Sequence, residues 1–189
     1  MSAQPEPAAR GLTGRIAATW ARPAASWRSE WREGAGEPRL LAYAFGACAF
    51  LTLGEMAAEA VRPVVAIGEM REAWFAARFF AGLSFFPLAL YASAALMRIV
   101  ARAAGGRGGW RETRLALFWS GLASGPFAAI VLVVGAAAGL GGLAHMAAGL
   151  MWVALLAPML AAAHGFRPAR VFGVFLALAA GAFLLQAVG

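Results

Sequence analysis

Lysine and aspartate are absent from the 189 residues: all sixteen basic side chains are Arg and all nine acidic ones are Glu. Cysteine occurs once, as Cys48, which excludes an internal disulfide and any cysteine-based metal cluster. No Asp is available as a metal ligand. The two imidazoles, His145 and His164, lie at opposite ends of one apolar run, about 28 Å apart at 1.5 Å per helical residue, so no metal site is expected. Charge of either sign is scarce, at 13% of the chain, whereas 62% is apolar and the mean hydropathy is +0.71. Soluble domains are about 45–50% apolar even with glycine counted. A chain this short cannot bury that much apolar surface against itself, which leaves lipid as its solvent. Strand-like alternation is also missing. That excludes a closed barrel and leaves membrane helices.

Five apolar runs of about 18 residues or more meet the length of a spanning helix. They cover about 40–60, 74–100, 115–140, 143–163 and 171–188. The expected fold is therefore all-α: an integral membrane bundle of five transmembrane helices over 39–189, preceded by a tail over 1–38. The first run starts near Leu40, too late for a secretory signal, so the tail is expected to stay attached and cytoplasmic. Thirteen of the sixteen Arg fall in the tail, in the segment Arg98–Arg114 and in the segment His164–Arg170. Arg62, Arg71 and Arg78 are left for the other side. This asymmetry sets the amino terminus inside and the carboxyl terminus outside. With the Arg- and Ala-rich composition of a GC-rich bacterial genome, the expected location is a bacterial inner membrane. The net charge of +7 is then a topology signal rather than a nucleic-acid footprint.

Within the tail, residues 1–13 are small and polar and are expected to be disordered. From about 15 to 33 the pattern changes. Ile16, Trp20, Trp27 and Trp31 share one helical face, with Arg15, Arg22, Arg28 and Arg32 elsewhere. This predicts an amphipathic helix in the headgroup plane, with Trp20, Trp27 and Trp31 as lipid contacts. Pro23 splits it into two pieces, the second starting near Pro23.

Glu55 and Glu59 sit one turn apart near the outer end of the first span, close to Arg62 and, across the next helix, Arg78. Intramembrane acids are rare and cost a few kcal/mol. These four residues form either a proton or cation site or a set of structural ion pairs, Glu59 with Arg62 and Glu55 with Arg78. Gly105 to Trp110 is not a phosphate loop, because no GK[ST] follows. Its glycines are expected to end the second span in a tight turn. Arg102, Arg107 and Arg111 are expected to meet anionic headgroups there. Pro87, Pro126 and Pro158 kink three spans. Small residues recur at four-residue spacing at Gly121 and Gly125, at Gly135 and Gly139, and at Gly173, Ala177 and Gly181. Such stripes let helices approach closely, within the chain or against a partner. Scattered serines with no neighbouring His give no support to a hydrolase.

One stretch runs from Pro87 through Leu96–Ala104 and Gly105-Gly106-Arg107-Gly108-Gly109-Trp110 into Arg114–Trp119 and Pro126. A helix ending in small residues, a glycine turn around a basic residue, an aromatic, then a helix with a central proline resembles the Yip domain family of five-span membrane proteins. The tail segment Trp20–Trp31 with Pro23 is similar to the pre-membrane segment of bacterial members. The resemblance implies a non-enzymatic protein of membrane traffic or membrane shaping, with no cofactor and no catalytic residues to carry over. The chain lacks a long acidic cytoplasmic domain, so GTPase binding is not implied. The expected function is a membrane scaffold or organiser acting through helix–helix and lipid contacts, alone, as a homo-oligomer or with a protein partner. The alternatives are an accessory subunit docking through its last helix, and a small transporter or channel using Glu55, Glu59 and Arg78.

Overall fold

A computed structural model describes residues 11–63 and 70–188. Seven helices follow one another: α1 (Leu12–Ala21), α2 (Pro23–Arg32), α3 (Glu37–Val61), α4 (Arg71–Ala103), α5 (Trp110–Ala137), α6 (Gly141–His164) and α7 (Pro168–Val188). No strand occurs among the described residues. Four helices, α3 to α6, are long and apolar enough to cross a membrane. In α7 the described apolar stretch that qualifies is the shorter Pro168–Leu178. Residues 1–10 lie outside the described part, and so does most of the segment expected to be disordered. Leu12 and Thr13, expected in that segment, already belong to α1.

The central helix is α5, with fourteen of its twenty-eight residues buried. Its face from Leu115 to Ser120 has almost no exposed atoms. Helix α3 lies against it at close range. A Cβ on Gly54 would stand 2.7 Å from the Cα of Ala129, so glycine sets this crossing. Helix α4 is peripheral, with only five of thirty-three residues buried. Pro87, Pro126 and Pro158 all sit inside continuous helices. Their lost backbone bonds bend the elements without ending them. Helix α6 stops at Gly165, whose φ of +77° suits glycine, and the N–H groups of Gly165 and Phe166 both donate to the Ala161 carbonyl.

The bundle has two distinct ends. At one, the Arg111 guanidinium donates to the Ala35 carbonyl, the Trp27 indole donates to the Glu112 carbonyl and the Arg107 N–H donates to the His164 carbonyl. The tail, the α4–α5 loop and the α6–α7 loop are thus gathered together, and with them most of the arginines. At the other end, the Arg62 guanidinium lies against Gly139, beyond the end of α5.

The tail forms the two helical pieces expected over about 15–33. The break falls at Arg22 and α2 begins on Pro23, but the two pieces fold back on each other as an αα-hairpin. Arg15 meets Glu30, and the Thr19 and Ser26 hydroxyls are 2.7 Å apart. The hairpin docks on α5 and α6 at the basic end. Trp20 reaches furthest. Its indole donates to the carbonyl of Ala123, midway along α5, and meets the Phe127 ring edge-on at 5.2 Å.

Candidate functional site

At the end opposite the hairpin, α3 places Glu55 and Glu59 one turn apart on one face. The Glu55 carboxylate forms an ion pair with Arg78 of α4. The guanidinium of Arg78 also lies over the Phe86 ring, 5.3 Å from its centroid. Arg62 caps α3 and packs its guanidinium on Gly139, which has a φ of +75°. A side chain on Gly139 would collide with that guanidinium and strain the turn. The four residues singled out from the sequence therefore converge, together with Trp74 and His145, on one polar cleft of about 430 Å³. The Glu55–Arg78 pair is the structural alternative weighed above, and it places opposite charges together where isolated ones would be costly.

Behind the cleft lies an apolar chamber of about 410 Å³ between α3, α4, α5 and α6. Small side chains line it on α5 and α6, among them Ala128, Ala148 and Gly149, and a Cβ on Gly149 would meet nothing within 4 Å. Its inner end is Trp152, whose indole donates to the Ser120 hydroxyl at 3.0 Å. Cys48 is on the wall and only 3% exposed. Among the described residues no group of three or more metal-ligating side chains occurs.

The basic end carries a polar network that the sequence reading missed. Glu30, 2% exposed, accepts from Arg15 Nε at 2.8 Å and also from Arg15 Nη2. The Tyr43 hydroxyl donates to Glu30 at 2.7 Å and accepts from Arg15 at 2.7 Å. Arg15 lies over Trp119, and Trp119 packs on Tyr43 at 4.9 Å and donates to Ser26. Burial pushes the Arg15 guanidinium down, but Glu30 and Tyr43 outweigh it and hold it above its ordinary value. A signal was present. Arg15, Thr19, Ser26 and Glu30 repeat the spacing of Ile16, Trp20, Trp27 and Trp31 one residue earlier. In the structure this polar seam is the line along which the two arms of the hairpin meet.

The three tail tryptophans expected at the headgroups lie along the docked interface. Trp27 is buried with its indole bonded to α5, while Trp20 and Trp31 are half-buried in the same interface. Arg111 is half-buried as well, holding Ala35 and lying over Trp31 at 5.0 Å. Arg102 and Arg107 are exposed at the basic end. The glycines of the α4–α5 loop have a packing role. A Cβ on Gly106 would stand 2.9 Å from His164 Nδ1, and one on Gly108 would stand 2.5 Å from the Ala163 carbonyl oxygen. The loop thus closes over His164, whose Nε2 is 3.0 Å from the Thr113 hydroxyl. Gly121 and Gly125 pack on Ala47 and Phe50 of α3, so that stripe is internal. On α7, Gly173, Ala177 and Gly181 are all exposed, and a Cβ on either glycine would meet nothing within 4 Å.

Compared with known proteins, the chain matches no family model, no curated protein and no solved structure. The resemblance to the Yip domain family therefore rests on the sequence features alone.

Proposed function

We propose that this chain is a non-enzymatic, five-span protein of a bacterial inner membrane that organises the bilayer, with its basic end cytoplasmic and its carboxyl terminus outside. The observation that carries the reading is the docked hairpin. Each arm has ten residues, about 15 Å of helix, whereas the hydrocarbon core is about 30 Å thick. The hairpin therefore adds two helix cross-sections to one half of the bundle and none to the other. In a membrane this makes a wedge that spreads one leaflet only. Exposed Arg22 and Arg28 extend their heads toward anionic headgroups. The resemblance of the sequence to the Yip domain family agrees with this reading.

Reconstitution into vesicles of phosphatidylethanolamine and phosphatidylglycerol tests the wedge. The full chain is expected to shift the population toward smaller diameters. A Trp20→Ala/Trp27→Ala variant that still inserts is expected to lose most of that shift. Equal diameters with and without the full chain would remove the wedge. Reporter fusions after Gly189 and beside Gly106 are expected on opposite sides of the membrane, and same-side signals would refute five spans.

A second reading has its own observation. The exposed Gly173, Ala177 and Gly181 stripe suits an accessory subunit docking through α7. Purification in mild detergent with a stoichiometric partner, lost on Gly173→Leu, would favour it.

A further inference from the structure

The polar cleft and the apolar chamber adjoin, with Glu55, Leu132 and His145 in the walls of both. Along α5 the two together run from Gly121 to Ala136, about 23 Å at 1.5 Å per residue. One bilayer leaflet with its headgroups is about 20–22 Å thick. The chamber is half open, so in a membrane it is filled rather than left empty. Water does not fill its apolar part, since a held water needs two to four polar partners. Ser124, one of the few polar groups on its wall, is already bonded to the Gly121 carbonyl. The occupant is therefore largely apolar, and its polar end lies at the mouth. There Arg62 and Arg78 stand beside Glu55 and Glu59, so among the described residues the mouth carries two Arg and two Glu. A purely anionic headgroup would gain from the arginines and be opposed by the glutamates. A headgroup with both a phosphate and an ammonium matches the set.

We infer that the space between α3, α4, α5 and α6 is a binding site for one zwitterionic phospholipid of the outer leaflet. One acyl chain fills the chamber and the headgroup lies among Arg62, Arg78, Glu55 and Glu59. The site is independent of the hairpin, and so is its test.

Native mass spectrometry of the full chain tests the site, after exchange through nanodiscs of phosphatidylethanolamine or of phosphatidylglycerol. One retained phosphatidylethanolamine per chain is expected, in preference to phosphatidylglycerol. Gly149→Leu is the decisive variant, because Gly149 lines the chamber and its added Cβ would meet nothing within 4 Å. It folds but fills the acyl volume, and its retained fraction falls by about tenfold or more. Gly173→Leu, outside the chamber and equally unhindered, retains the lipid. A wild-type chain without bound phospholipid would overturn the inference. So would equal retention by Gly149→Leu, or retention of phosphatidylglycerol as good as or better than that of phosphatidylethanolamine.

Discussion

The basic half of the bundle and the opposite half are packed by different kinds of side chain. Around the basic end, Trp119, Phe118, Leu115, Leu40 and Met159 are fully buried, and the hairpin closes over them with Ile16 and Trp27. Around the opposite end the buried cluster is Ala58, Ala128, Ala136, Ala144 and Ala148 with a single large member, Leu132. Large side chains fill space completely. Small ones bring backbones close where they face each other and leave a chamber where they do not. The polar groups follow the same division. Glu30 is enclosed by Arg15 and Tyr43, whereas Glu55 and Arg78 meet at the neck of an open cleft.

The contrast predicts a graded set of effects on unfolding in detergent. The largest is expected for Trp119→Ala, which removes the Tyr43 contact, the Arg15 contact and the bond to Ser26. A loss of about 3–5 kcal/mol is expected. Leu132→Ala, beside the chamber, is expected to lose less because an adjoining space can take up the change. Equal losses would mean that the two halves are packed alike.

Next comes Glu30→Ala. It strands the partly buried Arg15, and about 2–4 kcal/mol is expected, below the full value for a completely buried pair. Replacing both residues, as Arg15→Met with Glu30→Leu, is expected to restore much of the loss in the same denaturation experiment. No recovery would show that the network does more than neutralise itself.

Glu55→Gln follows, at about 1 kcal/mol, because Arg78 is a third exposed and can extend to water. The same variant bears on transport. Unchanged insertion and assembly fit a structural pair, whereas a proton or cation flux in liposomes that Glu55→Gln abolishes would favour the transporter.

The smallest change in stability is expected for Gly173→Leu on α7, within about 0.5 kcal/mol. A larger loss would mean that α7 is packed against something in the assembled protein.

Much of this contrast was already visible along the chain. The apolar runs expected at about 40–60, 74–100, 115–140 and 143–163 correspond to α3, α4, α5 and α6, each slightly longer in the structure because polar end residues continue the backbone ladder. The break at Pro23 was readable, since proline fits the first turn of a helix and not its interior. Convergence of Glu55, Glu59, Arg62 and Arg78 followed from spacing and from antiparallel neighbours. The docking of the tail did not follow. Periodicity defines which residues share a face, and Trp20, Trp27 and Trp31 would share one against lipid or against protein alike. The decisive contacts, Trp20 with Ala123 and Trp27 with Glu112, join residues 103 and 85 positions apart.

The sequence by itself determined the solvent, the class and the two ends of this protein. Apolar content forces helices where backbone groups have no water to bond, and arginine accumulates in three segments that come together. Only the tertiary structure decided what fills the bundle and what does not. The hairpin closes the basic half because its aromatic face finds carbonyls and rings on α5. The chamber opens in the opposite half, where Ala128, Ala148 and Gly149 line it with small side chains and a Cβ on Gly149 would meet nothing within 4 Å. Volume between helices depends on all of them at once, and no single stretch of chain encodes it.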